Sequence, residues 1–329
     1  MLPTPSPPII PISHISNFRL LFYLIGYKSQ GESIICILRD IATDKVLYSI
    51  VIDSYEQEKH NVTDHILNDL KIKPLNVLCW THPDLDHSKG MSTIIQNHCD
   101  ESTDIYLPQY IHNRSTDIVK LNEEEEQIVK DVFALNGYGF NLKPLDVAKC
   151  YEELDRFRIK DDHGNFLDIS LDALTPRKGL LADMFYNEEK YTVKNNVSIS
   201  MILNVDSYLF YFGGDVTNEM IEDTHHGYFS QCRFVKAPHH GSVYSDQILE
   251  YLPETIDTVC LTRKTKTTPI DEMFNSYKDR CLYIAATGHK EGNPDDYGII
   301  LYEYDFSKEE IQVEITPFNN AFVLEGGKL

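Results

Sequence analysis

Four residues with metal-binding side chains lie within six consecutive positions of the sequence. They are His82, Asp84, Asp86 and His87, and they directly follow residues 75–81, an apolar run typical of a buried strand. Imidazole nitrogens and carboxylate oxygens are the donors that divalent zinc and manganese bind in proteins. A single Asp or His at a strand end is usually a cap or a solvated group, but four together predict a metal site.

Two more groups of such residues follow strand-like runs later in the chain. Asp215 comes after residues 208–212 and two glycines, which permit a close approach of the backbone to a metal. His239 and His240 come shortly after residues 233–236. Layered α/β folds gather their chemistry at strand ends. We therefore predict that Asp215 and at least one of the two histidines share a site with the first group.

Hydrophobic periodicity predicts the elements that position these residues. Apolar runs with Gly, Asp and Lys between them predict strands over 18–25, 33–38, 46–52, 75–81, 104–107, 198–205, 208–212, 233–236, 297–304 and 311–315. Helical spacing predicts helices over 62–72, 91–98, 123–135 and 218–222. The third helix begins with four consecutive glutamates, which indicate a solvated helix face rather than ligands.

These motifs resemble those of the metallo-β-lactamase superfamily. Within it they are similar to the nuclease-like domain of the bacterial DNA-uptake protein ComEC and its stand-alone relatives. Residues 81–87 resemble that branch's HxDxDH signature, residues 212–215 the motif of a bridging aspartate, and residues 235–242 the HHGS motif. Residues 52–53 and 195–198 are similar to two further positions of the family.

The resemblance implies an α/β fold of one domain, an αββα four-layer sandwich over residues 17–329. Residues of about 100–190 contribute almost nothing to it and are predicted to be a variable insertion. The first 16 residues are rich in proline and predict either a flexible arm or an extension along a sheet edge.

The resemblance also implies hydrolysis at a centre of two divalent metal ions, Zn²⁺ or Mn²⁺. The implied ligands are His82, Asp84, Asp86, His87, Asp215 as the bridge, and His239 or His240. Asp86 and Asp53 are the implied catalytic carboxylates, the latter by orienting the motif loop behind the metals. Asp84 stands where most of the superfamily has a histidine, and this harder ligand favours Mn²⁺ without excluding Zn²⁺.

The chain departs from the family pattern at three places. Ser54 replaces a glycine that usually follows the early aspartate, and residues 195–198 contain no histidine where the wider superfamily has a third metal motif. Thr268 and Pro269 stand where relatives often carry a late His-Pro pair, and His289 is a candidate substitute. These differences make the occupancy of both metal positions an open question.

The substrate implied by the resemblance is a phosphodiester, including nucleic acid or a nucleotide. Basic and hydroxyl side chains near the motifs are the candidates for holding its phosphates. They are Lys236, Ser242, Arg263, Lys264 and Lys266. The basic run over residues 262–267 is equally consistent with an ordinary solvated loop. A formal net charge of -21 argues against a protein that embraces long DNA, because such binding depends on Lys and Arg.

Two other functions stay open. One is a metallohydrolase for a small substrate such as a phosphocholine ester, a cyclic nucleotide or a lactone, which the negative charge favours. The other is a catalytically inactive module of a defence system that binds a protein partner, which the missing histidine at residues 195–198 favours.

Composition favours a cytoplasmic protein without a membrane partner. Seven cysteines are scattered without a CxxC pair, which is typical of free thiols in a reducing compartment. The first residues lack the basic start and apolar stretch of a secretory signal. No run approaches the ~18 apolar residues that a membrane span needs.

Overall fold

The computed structural model describes residues 6–27, 31–57, 60–109, 111, 120–186, 194–263, 268–289, 297–307 and 310–328. The strands, in chain order, are β1 Ile9–Ile12, β2 Phe18–Tyr27, β3 Gly31–Asp40, β4 Lys45–Ile52, β5 Val77–Cys79, β6 Asp104–Pro108, β7 Asn141–Leu145, β8 Glu152–Asp161, β9 Phe166–Ala173, β10 Met201–Val205, β11 Tyr208–Phe212, β12 Cys232–Lys236, β13 Ile256–Leu261, β14 Cys281–Ala286, β15 Tyr297–Asp305, β16 Gln312–Asn319 and β17 Phe322–Glu325. The helices are α1 Val62–Asp69, α2 Leu85–Ser88, α3 Met91–His98, α4 Glu123–Leu135, α5 Lys178–Tyr186, α6 Asn218–Glu222, α7 Ile248–Tyr251 and α8 Asp271–Lys278.

The strands among these residues form two sheets. The first sheet has nine strands in the order β1-β8-β9-β10-β11-β12-β13-β14-β17 within the described ranges. The second has eight described strands in the order β16-β15-β2-β3-β4-β5-β6-β7. Strands β11 to β14 are parallel neighbours in the first sheet, and β4 to β7 are parallel neighbours in the second. The loops that follow them therefore lie side by side at one edge of each sheet.

Successive side chains of a strand point to opposite faces of its sheet, so neighbouring residues pack in different layers. Ile50 and Phe210 lie in a buried cluster shared by the two sheets. Val51 packs with residues of α1, α3 and α4, and Tyr211 packs with residues of α6, α7 and α8. The layers thus follow the order helices, sheet, sheet, helices, and this confirms the predicted αββα four-layer sandwich.

The described part of the proline-rich N-terminus lies along a sheet edge. Strand β1 pairs in parallel with β8, with Ile9 opposite Arg158 and Ile12 opposite Asp161. The backbone N–H of Ile15 also donates to the carboxylate of Asp161 at 3.2 Å. Residues 9–12 therefore form an edge strand of the first sheet.

The segment predicted to be a variable insertion, about residues 100–190, contributes strands to both sheets. β6 and β7 complete the edge of the second sheet, while β8 and β9 lie between β1 and β10 in the first. Strand β8 has only two buried apolar side chains, Phe157 and Ile159, and its register shifts between Glu153 and Asp155. So short an alternating pattern explains why hydrophobic periodicity did not predict this strand.

All seven cysteines are free thiols, and six of them are buried. Burial raises their pKa, for example that of Cys99 to about 12, so these thiols pack as small apolar groups. Among the helices of the described residues, none combines the length and the apolar character needed to cross a membrane.

Candidate metal centre

The loop after β5 carries the first motif and is held in shape by its own hydrogen bonds. The indole N–H of Trp80 donates to the hydroxyl of Ser88 at 3.0 Å, and that hydroxyl donates to the backbone oxygen of Asp84 at 2.7 Å. The chain then forms the single helical turn α2, which carries Asp86 and His87. Both residues are buried, although the segment that carries them only connects β5 to α3.

The loop after β11 places Asp215 at the same edge. Gly214 adopts a φ of 53°, and a Cβ atom there would lie 2.7 Å from the backbone oxygen of Ile199 and 2.7 Å from Oγ of Ser198. The same Ser198 hydroxyl accepts the backbone N–H of Asp215 at 2.9 Å. Only glycine fits this position, and the close approach of the backbone buries the Asp215 carboxylate completely.

The loop after β12 carries the histidine pair in an unusual backbone conformation. His239 and His240 both have positive φ values, 49° and 55°, which side chains rarely adopt. The backbone N–H of His239 donates to the backbone oxygen of Gly214 at 2.8 Å, and this bond joins the turn to the Asp215 loop. Such strained positions persist where the surrounding structure enforces them, often at functional sites.

Four side chains from these three loops converge on one point. One donor atom from each of Asp86, His87, Asp215 and His240 lies within 4.8 Å of every other. Nε2 of His87 is 3.3 Å from Oδ1 of Asp215, and Nε2 of His240 is 3.3 Å from Oδ2 of Asp86 and 3.6 Å from Oδ2 of Asp215. We call these four residues the tetrad.

The donor atoms at this point fit a divalent cation. Nε2 of His82, His87 and His240 and both carboxylate oxygens of Asp215 are buried and have no hydrogen-bond partner among the described residues. Leaving a buried polar atom unpaired costs about 1–3 kcal/mol. A cation held by the tetrad would satisfy the atoms of His87, His240 and Asp215, and two imidazoles with two carboxylates are a donor set that Zn²⁺ or Mn²⁺ accepts.

A second, more open group of donors also contacts Asp215. Nε2 of His82 is 3.5 Å from Oδ2 of Asp84 and 3.8 Å from Oδ2 of Asp215. Nε2 of His239 is also 3.8 Å from that Asp215 oxygen. Oδ2 of Asp215 is therefore shared by His240 of the tetrad and by His82 and His239 of the second group.

Two carboxylates behind the tetrad orient its imidazoles. Nδ1 of His87 is 2.7 Å from Oδ2 of Asp53, whose carboxylate also accepts the backbone N–H and the hydroxyl of Thr81 at 2.7 Å each. Nδ1 of His240 is 3.1 Å from Oε2 of Glu32. A proton on each Nδ1 directs the lone pair of Nε2 toward the tetrad. Asp53 therefore contacts the back of His87, as expected for an orienting residue.

The sequence did not identify Glu32 as part of the site. It lies near the start of β3, which runs antiparallel to β4 and therefore begins at the edge where β4 ends. Its other partners are the ammonium of Lys236 and the hydroxyl of Thr262. A charged residue beside an apolar run was the only available signal, since every partner of Glu32 is distant in sequence.

Lys236 does not have the place predicted for it. Its side chain is completely buried, and its ammonium pairs with Glu32. A buried ammonium needs a buried anion, and Glu32 supplies it. The prediction that Lys236 holds substrate phosphate is therefore corrected: in the structure this lysine pairs with the carboxylate that orients His240.

The other predicted phosphate-binding residues are divided among three situations. Ser242 closes the histidine turn, because its N–H donates to the backbone oxygen of His239 at 2.9 Å. Arg263 is 6% exposed and its Nε donates to the backbone oxygen of Gly288 at 2.8 Å, so burial limits its access to a substrate. Lys264 and Lys266 lie outside the described residues.

The segment that replaces the third metal motif still contacts the site. The side-chain nitrogen of Asn195 lies 3.1 Å from Nε2 of His239. Ser198 holds the Asp215 loop, as described above. His289, the candidate substitute for a late histidine, instead stacks on Phe322 with ring centroids 4.4 Å apart.

Charge interactions within the site keep the carboxylate of Asp215 ionised by lowering its pKa. Burial alone would raise the pKa of Asp215, but His240, His87 and His239 hold it well below its usual range. Burial alone would lower the pKa of His87, but Asp215 and Asp53 raise it well above the usual value. The pKa of His240 is raised in the same way by Asp215 and Glu32 against the effect of burial. Without a metal, these imidazoles therefore hold protons that an incoming cation must displace.

A lysine contacts the second group directly. Nζ of Lys194 is 2.6 Å from Oδ1 of Asp84 and also pairs with the buried carboxylate of Glu125 in α4. Burial raises the pKa of Asp84, but its bonds to His82 and Lys194 outweigh this effect and lower it. Neither Lys194 nor Glu125 was singled out from the sequence.

Comparison with known proteins gives structural likeness without a sequence match. No protein-family model matches the chain, and no curated protein is similar to it in sequence. The fold is similar to a solved structure described as a new diphosphatase from the PhnP family, with a TM-score of 0.38 and 11% identity. The match covers 73% of this chain and 85% of that chain.

Proposed function

We propose that this chain is a metal-dependent hydrolase that cleaves phosphodiesters. The observation that carries the proposal is the convergence of the tetrad on one point. Asp86 and His87 follow a strand of the second sheet, whereas Asp215 and His240 follow strands of the first. Buried donor atoms that follow strands of both sheets face one another here. Leaving such atoms unpaired costs free energy, whereas a bound cation would use them as ligands.

The proposed centre holds two ions, Zn²⁺ or Mn²⁺, on either side of the shared Asp215. The tetrad would hold one ion, and His82, Asp84 and His239 would hold the other together with Asp215. Such ions, when bound, polarise phosphoryl oxygens and lower the pKa of water to about 7. The carboxylates favour manganese, and the imidazoles are equally suited to zinc.

The remaining steps belong to the chain's own side chains. Asp53 and Glu32 hold the two tetrad imidazoles with Nε2 toward the site. Asp215 stays ionised because its pKa lies well below the usual range as the histidines outweigh the effect of burial. Asp86 is the more exposed of the two tetrad carboxylates, at 11% of its side chain against 0% for Asp215. We assign it the orientation of the attacking water through a hydrogen bond.

The proposed substrate is a nucleotide or a short nucleic acid rather than long DNA. The net charge of -21 opposes binding of an extended polyanion. Tyr244 is 69% exposed beside the histidine turn, and its ring is nearly parallel to that of His239 at a centroid distance of 6.3 Å. An exposed aromatic ring next to the metals suits stacking with a base. The likeness to the ComEC branch rests on the motifs alone and belongs to this proposal.

One experiment separates this function from its rivals. Purified protein with added Mn²⁺ or Zn²⁺ is assayed on bis-p-nitrophenyl phosphate, a cyclic nucleotide, a labelled oligonucleotide, a phosphocholine ester and a lactone. We expect hydrolysis of the phosphodiesters and its loss in Asp215→Asn. The matched control is Asp206→Asn, the same change at an exposed turn before β11. Turnover of the lactone alone would favour the small-substrate function. Absence of both turnover and bound metal would favour the inactive module.

A further inference from the structure

The tetrad and the second group differ in the charged groups that already neutralise their carboxylates. We infer that the two metal positions fill unequally, because Lys194 competes with the second ion for Asp84. This inference rests on the metal-dependent function proposed above. Neither Lys194 nor Glu125 belongs to a motif of the sequence.

The tetrad side is prepared for an ion. Both of its imidazoles have a carboxylate behind them, Asp53 for His87 and Glu32 for His240. The ammonium of Lys236 pairs with Glu32, behind His240. The partners of Asp215 within the described residues are histidines that would themselves become ligands of the ion, so no ammonium has to leave this carboxylate when an ion arrives.

The second side is different because an ammonium already contacts its carboxylate. One oxygen of Asp84 faces His82 at 3.5 Å, while the other is 2.6 Å from Nζ of Lys194. The Lys194 side chain is 23% exposed, so water screens this pair only in part. An ion that binds here must share Asp84 with Lys194 or displace it.

Glu125 holds Lys194 at this place. Its Oε2 accepts the backbone N–H of Asn122 at 2.8 Å, and its own N–H donates to the Asn122 side chain at 3.0 Å, which together form the capping box of α4. Its other oxygen pairs with Lys194. Lys194 is therefore shared between a carboxylate fixed in a helix cap and a carboxylate at the metal position.

The residue next to Lys194 in the chain also contacts the second group. It directly precedes Asn195, whose side-chain nitrogen contacts Nε2 of His239 at 3.1 Å. The segment thus offers the second position an ammonium and an amide, neither of which is a strong ligand for Zn²⁺ or Mn²⁺. The second ion consequently has fewer strong donors and a positively charged competitor.

Calorimetric titration of the metal-free full chain with Mn²⁺ and with Zn²⁺, checked by elemental analysis, tests the inference. We expect the wild type to bind one ion at least about tenfold more tightly than the second, a difference of ~1.4 kcal/mol. Lys194→Gln removes the competitor, so the Kd of the second ion should fall by about fivefold, the scale of a partly screened ion pair.

A second variant should shift the same Kd in the opposite direction. Glu125→Gln keeps the capping-box geometry but leaves Asp84 as the charged partner of Lys194, so the second ion should bind more weakly. The matched control is Lys89→Gln, which breaks a 2.9 Å ion pair with Glu124 in the same helix turn and should change neither Kd. The first Kd should stay constant in all variants. A structural effect alone would not move the second Kd in opposite directions.

Two results would overturn the inference. Equal affinities for both ions in the wild type contradict it, and so does an unchanged second Kd in Glu125→Gln, whose capping contacts make it the safer variant to fold. If ions bind but the variants behave alike, only the competition fails. If the wild type binds no ion, the proposed function fails with it.

Discussion

Nε2 of His87 lies 3.3 Å from Oδ1 of Asp215, although the two residues follow strands of different sheets. On its other side, Nδ1 of His87 contacts Asp53 at 2.7 Å. One imidazole is thus fixed between a carboxylate that holds it and a carboxylate with which it can share a cation. The metal affinity of the site therefore depends on how Asp53 holds His87 as well as on the ligands themselves.

Asp53→Asn should weaken metal binding without removing a ligand. The amide can present a donor to Nδ1 of His87 and so favour the wrong tautomer or ring orientation. Loss of such an orienting partner typically costs about 10–100-fold in metal affinity. Metal titration measures the change, and circular dichroism checks the fold. An affinity equal to that of the wild type would contradict the orienting role.

Lys236→Met should destabilise the protein far more than the removal of an exposed lysine would. It leaves the Glu32 carboxylate buried without its ammonium, a loss of about 3–5 kcal/mol. Glu32→Gln should have a similar effect, and the double variant should recover much of the stability. Urea unfolding of the three variants gives the coupling energy. Additive losses would show that the pair does not act as a unit.

Gly214→Ala should destabilise the loop that carries Asp215. The residue has a φ of 53° and a Cβ would lie 2.7 Å from a backbone oxygen, so strain of about 1–2 kcal/mol adds to a steric clash. Gly137→Ala is the matched control, because its Cβ would meet nothing within 4 Å. Thermal unfolding compares the two variants. Equal melting temperatures would contradict the close approach seen here.

The metal-free protein should be most stable between about pH 4 and pH 6.5, the ordinary pKa values of unfolded carboxylates and histidines. Burial would raise the pKa of Asp215, but its contacts with His240 and His87 lower it. The stability that Asp215 contributes is therefore lost as the pH falls through its pKa in the folded protein. Burial would lower the pKa of His87, but Asp215 and Asp53 raise it. The stability that His87 contributes is therefore lost as the pH rises through its pKa in the folded protein.

Added metal should reverse the upper part of this profile. Metal binding requires deprotonated imidazoles, so the stabilisation by Mn²⁺ should grow as the pH rises from 6 to 8. Melting curves with chelator and with metal at several pH values test both statements. Stabilisation by Mn²⁺ that is independent of pH would contradict histidine ligation.

Local sequence predicted most of the elements around the site. The bounds of α3, α4, α6 and β11 are those that the apolar pattern indicates, because each of these helices has one apolar face and β11 is a continuous apolar run buried on both faces. Strands β8 and β9 escaped prediction. Strand β8 has only two buried apolar side chains, Phe157 and Ile159, and its pairing with β1 joins segments that are distant in sequence.

The sequence by itself determined which residue types stand at the strand ends, and so the imidazoles and carboxylates of the tetrad. Only the tertiary structure decided their surroundings. It placed Glu32 behind His240, buried Lys236 against that carboxylate, and brought Lys194 to Asp84. The spacing of residues along a chain indicates which groups can bind an ion. The free energy of a charge depends on the groups that surround it after folding, and these come from segments far apart in sequence.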